Sequence, residues 1–131
     1  MPPDRIVPIY VAVVDDDESF CRSFNRLIRA AGYQAVSYGS AEAYLADNKR
    51  PRFDCLILDI QLGGMSGIEL HRQLLSLGSE VPVIHVTAHE EPAVRTEAQA
   101  VGCAGFFRKT DPGSEILASI DRVVRKKSGR A

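Results

Sequence analysis

Ile9-Tyr10-Val11-Ala12-Val13-Val14-Asp15-Asp16-Asp17 runs six apolar side chains straight into three carboxylates. The apolar part shows no alternation with polar residues. A strand that reads this way is covered on both faces, as in a parallel sheet. Beyond the acidic triplet, Phe20, Phe24, Leu27, Ile28 and Ala31 recur at helical spacing up to Gly32, a residue type that commonly ends helices. The segment therefore reads as strand, acidic turn, helix.

That unit repeats along the chain. Further buried strands are expected at residues 34–38, 53–58, 83–86 and 105–107. Ser40 can cap a short helix through Asp47. Ser66-Gly67-Ile68-Glu69 reads as a capping box, opening a helix that runs to about Leu77 and stops at Gly78. Residues 90–101 form a weaker helix, rich in Ala. Ile116, Leu117, Ile120, Val123 and Val124 mark an amphipathic last helix. Five strand-helix units imply an α/β fold, a doubly wound five-stranded parallel sheet with helices on both faces. In such sheets ligands bind at the carboxyl ends of the strands, near a topological switch point.

Bulk properties exclude other classes. The 131 residues fit a single domain with its core at about 9–125, and Arg122, Arg125, Lys126, Lys127 and Arg130 make a basic C-terminal run, read either as a helix end complementing its dipole or as the start of a linker. Sixteen Lys+Arg face 17 Asp+Glu, a net charge of -1, which argues against direct nucleic-acid binding. No apolar run approaches the ~20 residues a membrane span needs. Met1-Pro2-Pro3-Asp4-Arg5 lacks a signal-peptide layout. Cys21, Cys55 and Cys103 form no C-x-x-C and read as reduced thiols, so a cytoplasmic setting is expected. His71, His85 and His89 show no zinc-ligand spacing. His71 is assigned to the surface and His85 to strand packing.

The strand ends carry the chemistry. The first ends in Asp15-Asp16-Asp17, the third in Asp59 and the fourth in Thr87, and the fifth is followed by Arg108-Lys109. Singly, an acidic triplet is a helix cap and a lone Asp a turn residue. Together, the fold brings carboxylates into one pocket. Two of them ~4 Å apart repel by about 4 kcal/mol at an effective dielectric near 20. A divalent cation relieves this, and oxygen ligands from one or two carboxylates suit Mg²⁺. Lys109 adds a positive charge and Thr87 a hydroxyl donor. A carboxylate nucleophile, a metal, a hydroxyl and an ammonium are the parts for phosphoryl transfer to an aspartate.

Four stretches in order at fitting spacing carry a resemblance. They are Val13-Val14-Asp15-Asp16-Asp17-Glu18-Ser19, Leu56-Ile57-Leu58-Asp59-Ile60-Gln61-Leu62 with Met65-Ser66-Gly67, Val86-Thr87-Ala88, and Phe106-Phe107-Arg108-Lys109. The chain resembles the CheY-like receiver domains of two-component response regulators from about Ile9 to Val124. The resemblance implies a flavodoxin-like fold with strand order 2-1-3-4-5. It implies that Asp59 is the phosphoacceptor and that Asp15, Asp16 and Asp59, with the backbone carbonyl of Gln61, hold Mg²⁺. Thr87 and Lys109 would engage the phosphoryl group. Thr87 and the aromatic Phe106 would form the switch, with the surface of the fourth helix, fifth strand and fifth helix as output. His89, two residues past Thr87, stands where receivers vary the side chain that modulates dephosphorylation; its other reading is an exposed loop histidine. The implied partners are a sensor histidine kinase or phosphotransfer protein, a downstream effector, and a second copy in a phosphorylation-dependent dimer.

Two departures stand out. Receivers usually carry Lys-Pro after the fifth strand, with that bond cis, whereas this chain reads Lys109-Thr110-Asp111-Pro112. Without proline a cis bond costs ~2.5–4 kcal/mol. The expectation is a trans bond in a rerouted loop, with Lys109 displaced. Gly63-Gly64 replaces the usual proline-bearing loop and predicts a more mobile segment beside Asp59. An interaction module of the same fold that is never phosphorylated is the alternative reading. A dehalogenase-type hydrolase wants a second Asp where Gln61 stands. A flavin site lacks its phosphate-binding loop after the first strand.

Overall fold

The computed structural model describes residues 7–128. Its elements alternate strictly: β1 (Tyr10–Val14), α1 (Glu18–Ala30), β2 (Gln34–Tyr38), α2 (Ala41–Ala46), β3 (Cys55–Asp59), α3 (Gly67–Ser76), β4 (Val83–Thr87), α4 (Pro92–Val101), β5 (Gly105–Arg108) and α5 (Gly113–Ser128). The strands form one parallel sheet in the order β2-β1-β3-β4-β5. The chain runs from β1 out to β2, then crosses back past β1 to β3 on its other side. The switch point therefore lies between the carboxyl ends of β1 and β3, where Asp15 and Asp59 stand. Met1–Arg5, Arg130 and the side chains of Lys126 and Lys127, part of the basic C-terminal run, lie outside the described residues.

Side chains alternate across the sheet. Val11 and Val13 of β1, Cys55 and Ile57 of β3 and Ile84 and Val86 of β4 face α1 and α5 in one apolar cluster. Ala12, Val14, Leu56, Leu58 and Val83 face α2 and α3 in a second. A third, smaller cluster gathers Ile60, Ile68 and Ala98 beneath α4, with Phe106 against it. The last residues of β3 and β4 are Asp59 and Thr87 themselves, so both groups are held by sheet hydrogen bonds rather than by loops.

Capping follows the sequence closely at the start of three helices. Asp17 accepts from the Phe20 N–H at 3.1 Å, and Ser40 accepts from the Ala43 N–H at 2.9 Å. Ser66 and Glu69 complete both halves of the capping box. Helix α4 begins at Pro92, later than expected, and its Glu91 cap makes no side-chain bond.

Candidate functional site

Asp15 and Asp59 are each 2% exposed, while Asp16 is open to solvent. One carboxylate oxygen from each of the three lies within 4.8 Å of the others. Burial of like charges this close demands compensation, and Lys109 supplies part of it. Its Nζ lies 2.8 Å from Asp15 Oδ2 and 3.1 Å from Asp59 Oδ2. The Asp17 N–H donates to Asp15 Oδ1 at 2.9 Å, and the Gln61 N–H donates to Asp59 Oδ1 at 3.0 Å. The balance still disfavours charge on Asp59. Burial first, then the charge of Asp15, pushes its carboxyl up to about 6 against the Gln61 and Lys109 bonds. For Lys109, burial works against the ammonium, but the bonds to Asp15 and Asp59 outweigh it and raise its pKa.

Such a buried, partly compensated acidic set fits a divalent cation with oxygen ligands. Asp15, Asp16 and Asp59 are the carboxylates able to hold one.

The expectation that Lys109 is displaced is overturned. The described residues contain no cis peptide bond, so Lys109–Thr110 is trans. Yet the Lys109 N–H donates to the Thr87 carbonyl at 2.8 Å, extending the sheet pairing by one residue. The turn then closes on itself, because Asp111 Oδ2 accepts from the Arg108 N–H at 2.9 Å. This Asp-closed turn orients the lysine without proline. The Lys109 Nζ also sits 5.1 Å from the centre of the Phe20 ring.

Thr87 is fully buried. Its hydroxyl donates toward the His89 carbonyl at 2.8 Å and toward Gln61 Oε1 at 3.0 Å. One proton serves two acceptors, so neither bond is at full strength. His89 itself is exposed. Phe106 is half-buried on the α4 side of β5, with the Arg95 guanidinium 5.0 Å from its ring centre. Arg95 pairs with Glu90, which also reaches Arg108 at 3.7 Å.

Sequence reasoning missed three contributors. The Gln61 side chain, read only for its backbone, bonds Thr87. Glu42 of α2 accepts from the Met65 N–H at 2.9 Å, stapling the loop beside Asp59 that its glycines marked as mobile. Gly64 takes the left-handed turn there, with φ of +80°. Gly67, read as part of a capping box, is required by contact: a Cβ there would lie 2.2 Å from the Asp59 carbonyl oxygen. The Gly63-Gly64 pair carried a local signal; the Gln61, Glu42 and Gly67 contacts depend on which elements meet in space.

His71 is also corrected. It is 3% exposed, not a surface residue, because α3 turns it inward onto His85 of β4.

The sequence matches the response regulator receiver domain family over residues 11–121. The chain belongs to that family. It is 33% identical over 117 residues to the response regulator protein TodT of Pseudomonas putida, covering 89% of this chain and 51% of TodT. Nodulation protein W of Bradyrhizobium diazoefficiens is 33% identical over 110 residues, covering 84% of this chain and 48% of that protein. The chain thus spans about half the length of the curated relatives it matches. A response regulator receiver protein from Burkholderia phymatum superposes with a TM-score of 0.77 at 38% identity, covering 88% of this chain and 94% of that one. FixJ-N superposes with a TM-score of 0.82 at 29% identity, covering 96% and 99%. This receiver domain therefore has the strand order its family implied, and its acidic cluster lies at the expected end of the sheet. None of the described helices is long and apolar enough to cross a membrane.

Proposed function

We propose that this receiver domain accepts a phosphoryl group on Asp59 and changes its α4–β5–α5 surface in response. The observation that carries the reading is Asp59 itself, buried at a strand end between two further carboxylates and the Lys109 ammonium. An oxygen of Asp59 attacks the phosphorus of the donor. The new O–P bond forms as the donor's bond to phosphorus breaks, and the donor atom keeps that electron pair. A sensor histidine kinase or phosphotransfer protein is the donor. Asp15, Asp16, Asp59 and the Gln61 carbonyl would hold Mg²⁺, which would supply charge neutralisation during the transfer.

The acyl phosphate brings about -1.5 to -2 charges. Lys109 pairs with it, and the Thr87 hydroxyl turns from Gln61 and His89 toward a phosphoryl oxygen. That movement draws the 87–90 loop and frees space for Phe106. Swinging a two-state surface from 1:99 to 99:1 takes ~5.5 kcal/mol. A few charge-assisted hydrogen bonds at ~1.5–3 kcal/mol each supply that. Attack by water later breaks the O–P bond, returning the carboxylate and releasing phosphate; His89 lies close enough in sequence to tune that step. The surface so formed engages an effector or a second copy through α4–β5–α5. Residues 1–131 act as one domain, in the cytoplasm, without contacting nucleic acid or membrane themselves.

Incubation with acetyl phosphate and Mg²⁺ tests the reading. A mass gain of one phosphoryl group is expected in the natural chain and none in Asp59→Asn. No gain in either overturns it.

A further inference from the structure

We infer that His71 and His85 form an acid-sensitive tie between α3 and β4, a proton-controlled device separate from the acidic cluster. Both rings lie inside the protein, His85 at 0% exposure and His71 at 3%. Nε2 of His85 is 3.3 Å from Nδ1 of His71, with ring centres 5.4 Å apart. Two neutral imidazoles meet in this way when one facing nitrogen carries a proton and the other a lone pair. A single shared N–H thus joins the helix to the strand.

The surroundings offer a charged pair little beyond the Leu58 backbone. His85 is in register with Leu58 of β3 and Phe106 of β5. The ionisable groups on the packed elements are held elsewhere. Asp59 of β3 is bound by Lys109 and the Gln61 N–H. Glu69 of α3 closes its capping box, and Arg72 pairs with Glu97 of α4 at 2.9 Å. Arg95 of α4 and Arg108 of β5 both reach Glu90, and Arg108 also meets Asp111. Burial alone holds His71 below the usual histidine range. Burial first, then His71, pushes His85 down to about 4, and the Leu58 backbone only partly offsets them.

The proton count gives the response its direction. A first proton leaves one facing lone pair, so the tie survives but a charge enters an apolar site. A second puts N–H groups on both facing nitrogens, which ends the tie and sets two cations together. An unfolded chain takes up these protons near pH 6.5. The folded chain resists until lower pH. Stability from this source is complete above about 6.5 and falls as pH drops toward 4. Asp59 has the opposite sign: its raised carboxyl favours the folded state as pH falls from about 6 toward 3.8. The test must therefore compare chains that differ only in the pair. Thr87 lies two residues past His85, and Arg72 follows His71, so the loosened elements adjoin the switch side of the sheet.

Denaturant unfolding of the full chain at pH 7.5 and pH 4.5, against the double variant His71→Leu/His85→Leu, provides that test. Replacing both partners leaves no orphaned polar group. On going to pH 4.5, the folding constant of the natural chain is expected to fall roughly ten- to a hundredfold more than that of the variant. Equal pH dependence in the two overturns the inference. Should the variant fail to fold, ring-nitrogen NMR of the natural chain decides. Both rings staying neutral until well below pH 6.5, with α3 and β4 amides losing protection as they charge, is the expected result. Rings that titrate in the ordinary range, or amides that ignore their titration, overturn it.

Discussion

Helices α4 and α5 cover opposite faces of β5, yet they are held very differently. Helix α5 drives Ile116, Ile120 and Val124 fully into the larger cluster, with Leu117 and Val123 against it, and Asp121 accepts a hydrogen bond from Tyr33. Helix α4 buries one residue completely, Ala98, with Val94 and Val101 half-covered. A fully buried Ile or Val is worth about 1.5–3 kcal/mol, so the two helices differ by several such contributions. Helix α4 also starts without a side-chain cap, while the caps of α1, α2 and α3 are all made. The softer element follows directly after Thr87. An element that must move is drawn from the low-stability end of a fold, and α4 has the few apolar anchors that such a role needs.

The strongest way to break this contrast is Ile120→Ala. If α5 anchors the domain, the cavity should cost about 2–5 kcal/mol in denaturant unfolding, with loss throughout the sheet. A cost near that of an exposed substitution would mean α5 is no better held than α4.

Gly67→Ala sharpens it at the site. The new Cβ must displace the Asp59 backbone it would meet at 2.2 Å. The expected cost is about 1–3 kcal/mol, as for overpacking a rigid site. Backbone chemical shifts at Asp59 should move while those of α5 stay. Unchanged stability would show that α3 can slide away from the strand end.

Next in size is the response of Asp59 to pH, followed through its carboxyl carbon by NMR in the metal-free protein. Titration near 6 is expected, and Asp15→Asn should lower it by removing the second-largest cause. Because the folded pKa lies above the unfolded one, this group adds stability as pH falls from about 6 toward 3.8, and its ionised, attacking form is lost over the same descent. An unmoved pKa in the variant would mean that burial alone sets it.

Ala98→Gly belongs at the small end. About 1 kcal/mol of helix propensity is lost, and amide exchange should quicken within α4 ahead of the rest of the domain. Uniform loss of protection would mean α4 is part of one rigid unit with α5.

Much of this arrangement was legible in the sequence because it rests on local periodicity. Short runs rich in β-branched and apolar residues located all five strands, and Ser66 with Glu69 located the start of α3. Strand ends were less legible: Asp59 and Thr87 read as residues after their strands, since polarity was taken for an ending where the sheet pairing continues. Their convergence followed from topology. Long-range contacts left no local trace. Glu42 on the Gly63-Gly64 loop, His71 turned inward, and the Asp111 closure that replaces proline beside Lys109 depend on which elements meet in space.

The Gln61 side chain supplies the subtlest test of the contrast. The Thr87 hydroxyl divides its proton between Gln61 Oε1 and the His89 carbonyl, so one acceptor sits on the β3 side and the other on the loop that leads into α4. Removing the Gln61 acceptor gives the proton wholly to His89 and leaves the loop tied to Thr87 alone. A neutral hydrogen bond has a net worth of about 0.5–1.5 kcal/mol, and half-strength sharing puts the effect at the lower end. Gln61→Leu should therefore leave global unfolding almost unchanged, while hydrogen exchange at residues 88–91 falls by a factor of roughly two to ten as the Thr87–His89 bond reaches full strength. In the presence of BeF₃⁻ and Mg²⁺ the natural chain and the variant should converge, because Thr87 then faces the phosphoryl mimic and neither acceptor holds it. If exchange in that loop is unaltered without the mimic, the softness of the α4 side does not depend on Thr87, and packing under Ala98 alone accounts for it.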